Sequence, residues 1–212
     1  MNTQTLLSIV ADQREELLAN DYSELCPRPE ESQLDLKSNR AQVVIGVRRC
    51  GKSTLCEMFL KQKGIDFAYV NFDDDRMEDM KASDLDHLLE ALYMTYGEFK
   101  YLFLDEIQNI EGWPLFVNRL LRQKMHLFIT GSNSKLLSKE LSTHLTGRNN
   151  KVELYPFSYS EYCAMKKIDT TSLSTKAKGI RKSTLHEYLL QGGFPELFNE
   201  SNRRAVSYTH LR

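Results

Sequence analysis

Long apolar runs are missing from this sequence of 212 residues. No stretch approaches the roughly 18 consecutive apolar residues of a membrane-spanning helix, and the amino terminus has no signal-peptide pattern. We therefore expect a protein with no membrane partner. Hydrophobic residues make up 41% of the chain and charged residues 27%, as is usual for a globular protein that buries a sizeable core.

Cysteine and net charge are also scarce. The four cysteines form no C-x-x-C pair and no Cys/His spacing that binds zinc, so structural zinc is not expected. A reducing, cytoplasmic location is the simplest interpretation. The formal net charge of -1 excludes a positive field over the whole molecule that would attract nucleic acid.

The most informative motif is the sequence GVRRCGKS, which begins at Gly46. It follows the apolar residues 43–45 and precedes a predicted helix over residues 54–61, the context in which G-x-x-x-x-G-K-[ST] binds phosphate. We expect Lys52 to contact the β- and γ-phosphates of ATP and Ser53 to bind Mg²⁺. The alternative is a glycine-rich turn before an ordinary helix. The predicted nucleotide-binding residues are Gly46, Val47, Arg48, Arg49, Cys50, Gly51, Lys52, Ser53 and Thr54.

A second motif, in residues 100–106, is a near-continuous apolar run that ends in Asp105 and Glu106. Such runs are typical of central strands in parallel sheets, and ligands bind at the carboxyl ends of those strands. Asp105 is predicted to hold Mg²⁺, and Glu106 to direct a water molecule at the γ-phosphate as a general base. A solvated acidic turn is the alternative interpretation.

Two further sites are candidates for sensing the γ-phosphate. A predicted strand over residues 126–130 is followed by polar residues, of which Asn133 or Ser132 is our choice and Thr130 the nearest rival; a helix N-cap is the alternative. Arg148 follows a glycine at a turn and is predicted to act as an arginine finger, in its own chain or a neighbouring one. A surface ion pair is the alternative role for Arg148.

These motifs occur together with two others, LYPFSYSEY from Leu154 and GGFPE from Gly192. Over residues 40–196 the chain resembles a family of predicted prokaryotic AAA-like ATPases. The resemblance implies an α/β fold of the phosphate-loop NTPase class (ASCE, AAA-like), with a parallel sheet sandwiched by helices. It also implies that one strand separates the Asp-Glu strand from the phosphate-loop strand. ATP and Mg²⁺ are the implied cofactors, with the family's nucleotide roles assigned to Lys52, Ser53, Asp105 and Glu106.

The predicted organisation has three parts. Residues 1–38 form a helical segment and linker, residues 39–158 the AAA-like core, and residues 159–212 the start of a helical, winged-helix-like region. Members of the family usually continue into a nuclease-like domain. Residues 206–212 have no counterpart in the family and look like translated adapter DNA, so we expect the natural protein to be longer.

The function predicted from these features is a Mg-dependent ATPase that acts as a conformational switch or motor. The alternative is a nucleic-acid-binding module with a regulatory ATP site, which the basic cluster Lys176, Lys178, Arg181 and Lys182 favours. A small-molecule kinase or GTPase is the third option, but the sequence contains no Asn-Lys-x-Asp motif for guanine. A homo-oligomer and a DNA or protein partner are both compatible with the sequence.

Overall fold

The computed structural model describes residues 1–23, 25–131 and 145–198. Its five labelled strands are β1 (Ala41–Gly46), β2 (Phe67–Asn71), β3 (Tyr101–Asp105), β4 (His126–Gly131) and β5 (Asn149–Leu154). The helices of the described residues that matter below are α1 (Thr3–Ala19), α2 (Lys52–Gln62), α3 (Leu85–Tyr96), α4 (Trp113–Arg122), α5 (Tyr159–Met165) and α6 (Thr175–Gln191). Short 3₁₀ turns, including Pro29–Gln33, connect them.

The strands form one parallel sheet in the order β2-β3-β4-β1-β5. Strand β4 lies between β3 and β1, which confirms the predicted intervening strand and the α/β fold class. Because the strands are parallel, their carboxyl ends meet at one edge. The residues after β1, β3 and β4 therefore come together there.

The core lies on both faces of this sheet. Successive side chains of a strand point to opposite faces, so Val43 and Ile45 join one apolar cluster while Val44 joins the other. The first cluster contains apolar residues of α1, α3 and α4, including the fully buried Trp113. The second contains apolar residues of α2. Helices thus cover both faces, which explains why the central strands are apolar throughout.

Most predicted elements have bounds close to those observed, and the differences occur at the ends. Helix α2 begins at Lys52, two residues before the predicted helix, because the last residue of the loop caps it. Glu106 lies outside β3 and takes a left-handed conformation, with φ 52°. The helix whose N-cap is the alternative role for Ser132 and Asn133 lies outside the described residues.

Gln13 of α1 pairs with the carboxyl end of β2, a strand at one edge of the sheet. Its amide accepts a hydrogen bond from the Asn71 N–H and donates one to the Asn71 carbonyl, each 3.0 Å long. The side chain is buried and also donates to Asp74. A glutamine on a helix therefore satisfies the main-chain groups that a neighbouring strand would otherwise pair.

Two properties of the described residues bear on the expectations above. None of the helices within residues 1–23, 25–131 and 145–198 has both the length and the apolar character to cross a membrane. All four cysteines are free thiols.

Candidate nucleotide-binding site

The loop between β1 and α2 depends on its two glycines for different reasons. A Cβ atom at Gly46 would lie 2.1 Å from the carbonyl oxygen of Leu154 on the neighbouring strand. Gly51 instead has a φ of +95°, which residues with a side chain rarely adopt. Arg49 also has a positive φ, 65°, and backbone strain of this kind concentrates at functional sites.

The start of α2 is suited to bind an anion. The first N–H groups of a helix have no partner within the helix, and the helix dipole gives this end a partial positive charge. Gly51 occupies the N-cap position, and no side chain there bonds to the free N–H groups. The loop and the first turn of α2 therefore present main-chain donors of the kind that hold phosphate groups.

Lys52 adds a positive charge beside these donors. Its side chain is only 3% exposed, and its ammonium group lies 3.1 Å from the Val47 carbonyl and 3.4 Å from the Glu106 carboxylate. A buried ammonium is costly unless it is paired. The loop carbonyl and the acidic residue after β3 therefore hold this charge in the position where a phosphate group can also reach it.

Asp105 ends β3 and is 3% exposed. The Ser53 hydroxyl donates to its carboxylate at 2.9 Å, and the Thr130 hydroxyl donates to the same oxygen. The pKa of Asp105 is raised to about 6, mainly because the group is buried. The hydrogen bonds from the two hydroxyl groups lower this pKa, and the nearby charge of Glu106 raises it. Near pH 7 the site thus contains a buried negative charge that a cation would stabilise.

This donor set fits Mg²⁺ in the company of a nucleotide. Mg²⁺ takes oxygen ligands and usually combines one or two protein oxygens with phosphate oxygens and water. Ser53 and Asp105 supply a hydroxyl and a carboxylate whose oxygens are already 2.9 Å apart. Within residues 1–23, 25–131 and 145–198 no cluster of three or more His, Cys, Asp or Glu side chains is arranged to hold a metal. A phosphate-bound ion suits the site better than a metal held by protein alone.

Glu106 is fixed by contacts at both its backbone and its side chain. Its N–H donates to the Thr130 hydroxyl at 2.9 Å, and its carboxylate accepts from the Gln108 amide at 2.5 Å. The other carboxylate oxygen faces Lys52 at 3.4 Å. The left-handed backbone turns this side chain away from the sheet and toward the phosphate loop. The four residues Lys52, Ser53, Asp105 and Glu106 are thus brought together.

The candidate sensor residues are only partly described. Ser132 and Asn133 lie outside the described residues. Thr130, the rival candidate, is fully buried near the end of β4 and contacts both Asp105 and Glu106. The Thr130 hydroxyl therefore helps to fix the positions of Asp105 and Glu106 through these hydrogen bonds.

Arg148 lies far from this site. It precedes β5, which pairs in parallel with β1 from Ala41–Asn149 to Gly46–Leu154, so it sits at the amino edge of the sheet. At about 3.3 Å per residue, the length of β1 puts roughly 17–20 Å between Arg148 and the phosphate loop. Its guanidinium donates to Asn118 at 2.9 Å. A finger role toward its own chain's phosphate is incompatible with this position. A role toward the nucleotide of a neighbouring chain and a purely structural role at the surface both stay open.

The other loop residues have different surroundings. Val47 is half exposed, and Arg48 forms an exposed ion pair with Asp73 at 2.8 Å, which joins the loop to the acidic turn after β2. Cys50 is fully buried, and burial raises the pKa of its thiol, so it is a core thiol rather than a reactive one. Thr54 lines the cavity described next.

A cavity of about 370 Å³ opens beside the loop. Gly51, Lys52, Ser53 and Glu106 form its polar side. Apolar side chains of α2, Leu55 and Met58, form another part of its wall. The rest comes from segments distant in the chain and mixes apolar with charged side chains: Leu25, Cys26, Arg28, Phe157, Pro195 and Glu196. A polar end with phosphate-binding groups next to an apolar compartment is the arrangement that a nucleotide requires.

The sequence interpretation missed two of these walls. The sequence predicts a linker for the segment that includes Cys26, and the family resemblance assigns no role to the Gly-Gly-Phe-Pro-Glu segment. The structure places Glu196 3.1 Å from Arg49 of the loop. Gly193 packs so closely on Phe157 that an added Cβ would lie 2.1 Å from the Phe157 carbonyl oxygen. The pair of glycines in the Gly-Gly-Phe-Pro-Glu segment is the sequence signal for this wall, because a close contact of this kind requires a residue without a side chain.

Comparisons with known proteins identify relatives of similar sequence. The chain is 39% identical over 167 residues to an uncharacterised protein of Methanocaldococcus jannaschii, with 78% of this chain and 38% of the relative aligned. It is 36% identical over 164 residues to an uncharacterised protein of Haemophilus influenzae, with 74% of this chain and 40% of the relative aligned. The chain thus spans about two fifths of the length of these curated relatives.

Solved structures show a looser similarity. C. elegans PCH-2 aligns over 82% of this chain and 50% of its own, with 12% identity and a TM-score of 0.43. The Thermotoga maritima RuvB Holliday junction branch migration motor aligns over 87% of this chain and 50% of its own, with 15% identity and a TM-score of 0.42.

A family model supplies the assignment. Residues 38–163 match the model described as an AAA domain, and this range contains the phosphate loop, the acidic pair and Thr130. The chain therefore belongs to the AAA-domain family, the AAA-like phosphate-loop ATPases.

Proposed function

We propose that the protein binds ATP with Mg²⁺ at the phosphate loop and hydrolyses it to ADP and phosphate. The observation that carries this proposal is the meeting of four side chains at the carboxyl edge of the sheet. The Ser53 hydroxyl lies 2.9 Å from Asp105, and the Lys52 ammonium lies 3.4 Å from Glu106. These are the groups that phosphoryl transfer to water requires.

Each residue has a distinct task in the proposed reaction. The main-chain N–H groups of the loop and Lys52 bind the phosphates and stabilise the charge that builds up on them. Ser53 and Asp105 would hold Mg²⁺, which neutralises phosphate charge when it is bound. Glu106 orients the attacking water and accepts its proton. The apolar walls around Met58 and Phe157 receive the base.

Binding and turnover can be separated by two substitutions. Lys52→Ala should abolish ATP binding, measured by isothermal titration calorimetry, because the loop loses its only buried ammonium among the described residues. Glu106→Gln should keep binding and lose turnover by about 100-fold or more, since it removes the base and keeps the size of the side chain. Lys63→Ala and Glu111→Gln, both at exposed positions, are the matched controls.

Three results would contradict parts of this proposal. Folded protein that gives no magnesium-dependent heat with adenine nucleotides does not have the proposed site. If Glu106→Gln hydrolyses ATP at the parent rate, the assignment of the base is wrong. A coupled assay of ADP or GDP release, run with ATP and GTP in parallel, tests the choice of nucleotide. Equal rates would contradict a preference for ATP.

DNA binding with a regulatory ATP site is the second candidate function. In α6 and the turn before it, Arg181 already donates to the carbonyl groups of Asp169 and Ser172, so it is engaged within its own fold. Lys176, Lys178 and Lys182 are exposed. A DNA-binding role predicts an affinity for duplex DNA that falls steeply and linearly with log salt concentration. Absence of such binding at low salt would exclude this function.

A further inference from the structure

Arg28 is a buried arginine that connects three separate elements. One guanidinium nitrogen donates to the Cys50 carbonyl of the phosphate loop at 3.2 Å, and another to the Tyr155 carbonyl just after β5 at 2.7 Å. The third donates to the Glu161 carboxylate in the first turn of α5 at 2.5 Å. The side chain is 6% exposed. Arg28 precedes residues 38–163, so it lies outside the part that matches the family model.

The surroundings of Arg28 keep its guanidinium in one orientation. The group lies over the Phe157 ring, 4.7 Å from the ring centroid. Burial alone would raise the pKa of Glu161, but hydrogen bonds from Ser158 and the charge of Arg28 outweigh it, and the pKa is lowered. The carboxylate therefore stays charged and paired with Arg28. Removal of one partner from a buried ion pair with satisfied hydrogen bonds strongly destabilises the folded state, because the other charge is left buried and unpaired.

The contact with Cys50 determines how the phosphate loop presents its donors. A peptide unit is planar, and the described chain has no cis peptide bonds, so the N–H of Gly51 points opposite to the Cys50 carbonyl. Arg28 holds that carbonyl from one side. The orientation of the next N–H group, at the N-cap of α2 where phosphate binds, is thereby fixed as well.

The other two contacts lead to the carboxyl-terminal helices. Tyr155 and Glu161 flank the connection from β5 into α5. Helix α5 in turn packs on α6, where the rings of Tyr162 and Tyr188 lie 5.2 Å apart. A change in the position of the phosphate loop therefore has a direct route, through one side chain, to both helices.

We propose that Arg28 is a positioning residue that couples the conformation of the phosphate loop to helix α5. The proposal rests on the proposed ATP-binding function. It adds that nucleotide binding at the loop and the seating of α5 stabilise each other through the Cys50–Arg28–Glu161 contacts. Coupling of this kind requires reciprocity, so a change at Glu161 must alter nucleotide affinity.

The first test measures Mg·ATP affinity and melting temperature for Arg28→Lys, Glu161→Gln and the double variant. Lysine keeps the charge of arginine but cannot bridge three acceptors with a planar fork. We expect each single variant to raise the Kd by roughly tenfold, as for one lost charge-assisted hydrogen bond. The double variant should bind no more weakly than Arg28→Lys alone, because both changes break one connection. Arg76→Lys, an exposed arginine paired with Asp12 and Asp74, is the matched control and should bind as the parent does.

Two results of this experiment would overturn the coupling. If Arg28→Lys lowers the melting temperature but leaves the Kd at the parent value, the residue is merely structural. If the effects of the two single variants multiply in the double variant, they act independently. Neither result bears on whether ATP binds, so the proposed function would stand.

Hydrogen exchange decides the matter if Arg28→Lys does not fold. In the parent protein Mg·ADP should slow amide exchange in residues 46–53 and in residues 158–165 together, and in Glu161→Gln only in residues 46–53. Protection of residues 46–53 alone in the parent would refute the coupling while supporting nucleotide binding. If no nucleotide binds at all, the proposed function fails. In that case amide exchange without ligand is compared between the parent protein and Glu161→Gln. Faster exchange of residues 46–53 in the variant supports the coupling, and unchanged exchange overturns it.

Discussion

The hydroxyl group of Thr130 joins the two acidic residues that follow β3. It donates to the Asp105 carboxylate and accepts a hydrogen bond from the N–H of Glu106, at 2.9 Å. One side chain on β4 thus sets the position of the proposed metal ligand and of the proposed base. Because Thr130 is fully buried, water cannot replace these contacts without a change in packing.

Replacement of this hydroxyl should therefore reduce turnover more than binding. Thr130→Val keeps the shape of the side chain but removes the acceptor of the Glu106 N–H and one of the donors to Asp105, which keeps its bond from Ser53. Such a loss costs about 1–3 kcal/mol of the free energy of unfolding. We expect kcat for ATP to fall by roughly tenfold to 100-fold, because Glu106 loses its orientation. Thr130→Ser retains the hydroxyl and should stay near the parent rate. Equal turnover in the valine and serine variants would show that the hydroxyl positions nothing.

The raised pKa of Asp105 predicts a pH dependence of stability in nucleotide-free and metal-free protein. The folded state binds this proton more tightly than the unfolded state, whose pKa is near the ordinary 3.8. The carboxyl group therefore contributes most stability below pH 3.8, and that contribution is lost as the pH rises to about 6. The difference between the two pKa values corresponds to roughly 3 kcal/mol.

Asp105→Asn removes this cost because its side chain does not ionise. The free energy of unfolding of Asp105→Asn should therefore exceed that of the parent by up to about 3 kcal/mol at pH 7.5, relative to the difference at pH 4, in urea titrations with EDTA. Mg·ATP should raise the melting temperature of the parent but not that of the variant. A constant difference in stability between pH 4 and pH 7.5 would contradict the pKa assignment.

Gly193 provides a prediction for the wall of the cavity. Gly193→Ala places a Cβ 2.1 Å from the Phe157 carbonyl oxygen, so residues 192–196 must shift and the contact of Glu196 with Arg49 is disturbed. We expect a loss of about 1–3 kcal/mol of stability and a KM for ATP raised several-fold. Gly179→Ala is the control, because no atom lies within 4 Å of its added Cβ in α6. It should be neutral or stabilising by roughly 0.5–1 kcal/mol.

Arg148 leads to a prediction about assembly. Because it lies at the opposite edge of the sheet from the phosphate loop, Arg148→Ala should leave the Kd for Mg·ATP unchanged in the monomer. If Arg148 acts on a neighbouring chain, hydrolysis per chain should rise with protein concentration in the parent but not in the variant. Mass in solution with and without ATP is the complementary measurement. A parent that stays monomeric at micromolar concentration with full turnover excludes the role in trans.

The sheet and the phosphate loop were predictable because local sequence determines them. The apolar residues of β3 are typical of a strand covered on both faces, and β4 lies where an apolar run predicts a strand over residues 126–130. The loop motif identifies its own conformation, because Gly51 occupies a left-handed position. The location of Arg148 also follows from physical reasoning: a residue before a parallel strand lies at the edge opposite the loop.

The rest of the site depends on contacts between distant segments. Arg28 and Pro195 have no pattern of their own that indicates a cavity, and they meet Lys52 only after the chain has folded. The sequence favours the neighbours of Thr130 as the sensor, because nothing in a strand sequence shows which side chain contacts an acidic residue on the next strand. Such roles depend on the register between strands, which the local sequence does not determine.

The amide of Gln13 has a consequence for how copies of this protein can associate. By occupying both main-chain groups of Asn71, it imitates a paired strand and leaves that end of β2 nothing to offer an incoming peptide. Exposed strand edges are the usual starting points of aggregation, so α1 protects this end of the β2 edge in the folded protein. Edge-to-edge pairing of two sheets through the Asn71 end of β2 would therefore require Gln13 to leave its position.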